Sequence, residues 1–117
     1  METVEIDLSE RFEIAFNRIH KALSKMVKNI HGDTFSQLVA HGAKRHAIIR
    51  SYKDELFQFA KLRNAIVHEK LKADFYIAEP HQDVVERIEE IAELLEKRLQ
   101  HFLFLVIRLS ILIITLP

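Results

Sequence analysis

Cysteine and tryptophan are absent from this chain, and glycine and proline occur only twice each in 117 residues. Without cysteine there is no disulfide framework, no thiol nucleophile and no Cys-ligated zinc or iron–sulfur site. That usage fits a reducing compartment. The acidic opening METVEIDLSE lacks the apolar run of a secretory signal, so a cytoplasmic location is expected. Two isolated glycines cannot build a phosphate-cradling Gly-rich loop. An excess of one charge is also missing: 17 Lys and Arg stand against 17 Asp and Glu. The chain as a whole therefore has no electrostatic grip on nucleic acid, and any RNA contact must come from a local patch.

What is present is helix-forming material. About half of the residues are apolar and 29% are charged, the balance of a folded domain with one hydrophobic core. With so little Gly and Pro, long helices joined by short connections are expected, giving an all-α, antiparallel four-helix bundle over residues 1–100. Phe12, Phe16, Ile19, Leu23, Met26 and Ile30 recur at alternating spacings of four and three, which predicts a helix from about Leu8 to Ile30. Asp7 and Glu10 resemble a capping pair at its start, and Gly32 suits its end. Thr34 and Gln37 have capping-box spacing and open a second helix. Its end falls somewhere between His41 and Ser51. A third helix carries Ile49, Tyr52, Leu56 and Phe59 inward. LKADFYIAEP, residues 71–80, reads as a connection. Pro80 then suits the first turn of a fourth helix, whose inward face is Val84, Ile88, Ile91 and Leu95.

Residues 101–117 change character. From Phe102 to Leu116 only Arg108, Ser110 and Thr115 are not apolar. As a helix these residues reach about 22 Å, against a hydrocarbon core of about 30 Å. Arg108 near the middle adds about 2.5–3.5 kcal/mol to insertion. This arithmetic favours a segment that is buried or covered by a second copy, with a membrane anchor over residues 102–116 as the weaker reading.

The stretch KLRNAIVHEK, residues 61–70, places polar groups where the third helix should be apolar. Continuing the rhythm of Leu56 and Phe59 lands on Arg63 and then Ile66. A guanidinium withdrawn from water is costly unless it is paired. Asn64 and His68, four apart, share one flank of the helix beside it. Lys61, Lys70 and Lys72 lie close in sequence and are candidates to hold a phosphate backbone. Two readings fit these residues. Arg63 bridges to a carboxylate of the fourth helix while Asn64 and His68 satisfy backbone groups, or all three face a ligand. No metal site is expected. His68–Glu69 begins like a zinc-protease helix, but Lys72 stands where the second His belongs. His41 and His46 lack a carboxylate partner, and the remaining histidines, His20 among them, read as exposed helix residues.

The run RNAIVH, with Arg63, Asn64 and His68, resembles the Arg-Asn-x-x-x-His signature of the HEPN family of small helical domains. The longer stretches YKDELFQFAKLRNAIVHEK and IAEPHQDVVERIEEI are most similar to HEPN domains found ahead of CBS-domain pairs in prokaryotes. Similarity covers roughly residues 8–95, and the tail after about Lys97 departs from the pattern. The resemblance implies a homodimer acting as a metal-independent endoribonuclease, with no cofactor, in a toxin or stress-defence setting. A cognate antitoxin or other regulatory partner would accompany such a role. Arg63 and His68 would be catalytic, supported by Asn64. The alternative it implies is a non-catalytic dimerisation or regulatory module related to CBS-domain sensors. Toxin-type relatives controlled by nucleotide transfer have Tyr two residues after the His. This chain has Lys70 there, so that control is not expected.

The implied chemistry suits the residues. Attack of an RNA 2′-hydroxyl on its own phosphate needs a base for the hydroxyl proton and an acid for the leaving 5′-oxygen. Histidine serves either role near neutral pH. The planar donors of Arg63 suit the charge building on the phosphorane oxygens. Two chains about a twofold axis would supply both an acid and a base.

Overall fold

The computed structural model describes residues 7–27, 34–71 and 79–116, the side chains of 69–71 excepted. It is an all-α bundle of four helices, and the described residues contain no strand: α1 (Leu8–Met26), α2 (Phe35–Arg45), α3 (Ala47–Leu71) and α4 (Gln82–Thr115).

The starts of α1 and α2 each have a chemical cause. The Asp7 carboxylate accepts the N–H of Glu10 at 2.7 Å, occupying one of the donors that open α1. At α2, Thr34 Oγ1 accepts the N–H of Gln37 while Gln37 Oε1 accepts the N–H of Thr34, a reciprocal capping box. The break between α2 and α3 is the single residue His46, whose backbone is extended. Its Nε2 lies 3.1 Å from the Met26 carbonyl oxygen, fastening the corner to the end of α1. Gly42 is not a break. It is buried inside α2, where an added Cβ would stand 2.7 Å from Ile49 Cδ1 and 2.9 Å from Val27 Cγ2. Only a residue without a side chain allows that approach.

Some bounds differ from expectation. Helix α1 ends at Met26, and Val27 already has extended backbone. Ile30 and Gly32 lie outside the described residues. Pro80 precedes the cap residue His81 instead of entering the first turn, and Val85 rather than Val84 is fully buried on α4.

The core is continuous through the bundle, with Phe12, Ile19, Leu23, Leu38, Ile49, Leu56, Ile88, Ile91 and Leu95 shut off from solvent. Ion pairs fix the register around it. Arg11 pairs with Glu89 and Arg18 with Glu96, seven residues on along both helices, so α1 and α4 run parallel. Helix α3 runs against α4, because His46 contacts Phe102 while Glu55 meets Arg87. The antiparallel arrangement thus describes α3 against its neighbours and not the pair α1 and α4.

The expected boundary at residue 100 falls within an unbroken helix. Helix α4 has 34 residues and is about 51 Å long. By the register of its ion pairs, the end of α1 stands level with residue 104. Beyond that level α4 has no neighbour from α1. Leu99 is 7% exposed, whereas Phe102 is 46% and Ile114 80% exposed. The boundary is one of packing, not of secondary structure. Helix α4 is long and apolar enough to cross a membrane, with a mean hydropathy of 1.6 over its most apolar window.

Candidate functional site

Arg63 leaves α3 toward α1, and its position explains how a guanidinium occupies an apolar rhythm. Its Nε and Nη2 donate to Glu13 Oε1 at 3.4 and 3.3 Å, and its Cζ lies 5.5 Å from the centroid of the Phe16 ring. The carboxylate that receives it belongs to the first helix, not the fourth as one reading of the sequence had it. Both partners are about one-third exposed, so the pair sits at the rim of the core and is not sealed within it. A pair of that exposure contributes about 0–1 kcal/mol.

Beside this pair is a cleft of about 340 Å³ where α1, the start of α2 and α3 converge. Phe16 and Phe35 form its apolar floor, stacked 4.3 Å apart. Arg63 and Asn64 enter from α3, Asn17 and His20 from α1, and Ser36 from the first turn of α2. The His20 ring stands edge-on to Phe35 at 5.8 Å and is half-buried. His20 differs here from the exposed helix histidine that the sequence predicts. Its place in the cleft depends on α2 folding back over α1, which no local pattern reveals. The N-terminal turn of α2 adds the positive end of its backbone dipole to the same space. An arginine, an imidazole and two amides around an open cleft suit an anionic oxygen-rich group.

Asn64 is exposed at the edge of the cleft, and His68 is exposed one turn farther along the same flank of α3. Along a helix His68 lies about 140° around the axis from Arg63. The two therefore do not face one another within a single chain. His68 does not line the cleft; its imidazole is presented on open surface. Lys61 is exposed on α3. The Lys70 side chain and all of Lys72 lie outside the described residues. Among the described residues no three His, Asp or Glu side chains gather as a metal-ligand set.

The remaining electrostatics are structural. Arg87 Nε and Nη2 each donate to Glu55 at 2.8 Å, tying α4 to α3. These hydrogen bonds hold the Glu55 carboxyl below its usual range and raise Arg87 above its own. Glu96 is likewise lowered by its hydrogen bonds from Arg18. A larger open groove between α3 and α4 is lined by Phe59, Leu62 and Val84 together with Asp54, Glu55, Gln58, Asp83 and Arg87, so its charged groups are mainly acidic.

Comparison of the chain with protein-family models, curated proteins and solved structures finds no match.

Proposed function

We propose that the chain is a HEPN-type helical module that acts on RNA as a homodimer, cleaving it without a metal ion. The observation that carries this reading is a cleft of about 340 Å³ lined by Arg63 and Asn64, with His68 on the same flank as Asn64. His68 follows Asn64 one turn later on exposed surface. Arg63 would hold the phosphate and stabilise the pentacoordinate charge, with Asn64 and Lys61 orienting the strand. His68 would take the 2′-hydroxyl proton. The 2′-oxygen would bond to phosphorus, the P–O5′ bond would break, and His68 of a second copy would protonate O5′. The products are a 2′,3′-cyclic phosphate and a 5′-hydroxyl. The solvent exposure of His68 suits such sharing, since a buried imidazole cannot reach a strand held by two chains.

A second reading, a non-catalytic dimerisation or regulatory module, is favoured by the Arg63–Glu13 pair, which occupies the guanidinium within its own monomer. Incubation of the purified chain with single-stranded RNA in EDTA separates the two. The nuclease reading expects cleavage with 2′,3′-cyclic phosphate ends, lost in Arg63→Ala and His68→Ala. RNA left intact by a stable dimer would support the regulatory module instead.

A further inference from the structure

A net charge of zero conceals a sharp separation of the charges by position. Residues 14–27, 34–53 and 97–116 contain no Asp or Glu, yet they carry Lys21, Lys25, Lys44, Arg45, Lys97 and Arg98. The fold stacks the ends of these stretches together. His46, between α2 and α3, touches both the Met26 carbonyl and the Phe102 ring. Lys21 and Lys25 share a cleft with Lys97 and Leu103, where Glu93 and Glu96 are paired by Lys97 and Arg18. One end of the bundle is therefore basic, while the opposite end, where α1 and α4 begin, carries Asp7, Glu10, Asp83 and Glu86. Among the described residues the ion pairs involve none of Lys21, Lys25, Lys44, Arg45 and Arg98.

The apolar part of α4 leaves the bundle from that basic end. Its apolar surface is not a stripe. Val106 and Ile113 on one side and Phe104, Ile107, Ile111 and Ile114 on others are all between 43 and 80% exposed. A partner helix would need one apolar face, whereas a helix apolar all round suits a medium that surrounds it. We propose that this helix enters the hydrocarbon of an anionic phospholipid bilayer while the basic end of the bundle rests on the headgroups. The two features are complementary to the two layers of one partner: hydrocarbon for the helix, phosphate for the collar. Residues 102–116 reach about 22 Å, past the middle of a hydrocarbon core about 30 Å thick. Arg108, the one charge among them, has a stem long enough to carry its guanidinium toward a polar layer.

The proposal is independent of the RNA reading, and its test contains no RNA. The full chain is floated with vesicles of phosphatidylcholine alone or with one-quarter phosphatidylglycerol. Flotation with the anionic vesicles is expected, and binding to the neutral ones about tenfold weaker. The double variant Lys44→Glu/Arg45→Glu, at exposed positions, should lose about tenfold on anionic vesicles and little on neutral ones. Ile107→Asp/Ile111→Asp should abolish flotation with both while circular dichroism shows the bundle still helical. A chain that stays in the aqueous fraction as a dimer, its helix covered by a second copy, would overturn the proposal. So would equal binding to both vesicle types together with indifference to Lys44→Glu/Arg45→Glu.

Discussion

Arg63 and Glu13 meet at 3.3 Å across the junction of α3 and α1, with the Phe16 ring against the guanidinium. The contact gives the arginine a partner without burying it, because both side chains keep about one-third of their surface in water. An arginine held this way lines the cleft while Glu13 meets its charge.

Substitution Glu13→Gln should therefore cost little stability, about 1 kcal/mol at most, because exposed pairs are weak. Urea denaturation checks this. On the nuclease reading, RNA cleavage by Glu13→Gln is retained or raised, since the competing anion is gone. Loss of cleavage in Glu13→Gln with unchanged stability would instead give Glu13 a direct part in the reaction.

Acid should weaken the bundle through two carboxylates. Glu55 and Glu96 are held below their usual range, first by hydrogen bonds from Arg87 and Arg18 and then by the charge of those arginines. A depressed folded-state value means stability that is present above the unfolded carboxyl value, about 4.3. It is lost as pH falls through the lower folded value. Urea midpoints should stay level from neutral pH to about 5 on account of these groups, then drop. The drop should be smaller in Glu55→Gln/Glu96→Gln, and an identical drop would show that other carboxylates dominate.

Gly42→Ala tests the crossing of α2 over α1 and α3. Alanine favours a helix by about 1 kcal/mol over glycine. Its methyl group would nevertheless stand 2.7 Å from Ile49 Cδ1 and 2.9 Å from Val27 Cγ2. Ile49 can turn its far methyl away, but β-branched Val27 is stiff. A net loss of about 1–2 kcal/mol is expected, read as a lower urea midpoint at constant slope.

Leu95→Ala, at a fully buried position on α4, should cost about 2–5 kcal/mol. Ile107→Ala, 12 residues farther along the same helix, should change stability by less than about 0.5 kcal/mol in the absence of vesicles. Comparable losses would mean that the outer half of α4 is covered in solution.

Much of the architecture was legible along the chain because it rests on short-range chemistry. Asp7 and Thr34 cap as their spacing indicates. Phe12, Phe16, Ile19, Leu23 and Met26 of α1 and Ile49, Leu56 and Phe59 of α3 are buried, with Tyr52 partly so. These features involve residues three or four apart, and a helix brings such residues together whatever surrounds it. The odd placement of Arg63 was also visible, as a charge in an apolar rhythm.

Other relations join residues far apart in the chain, and only packing decides them. The partner of Arg63 is 50 residues away on α1, and His20 joins the cleft only because α2 lies over it. The parallel course of α1 and α4 has no local signature, yet it determines where α1 stops and α4 becomes bare. The tail was apolar from composition alone. That its base is ringed by lysines and arginines follows from three helix ends meeting at His46, a gathering of like charge that a net total of zero cannot express.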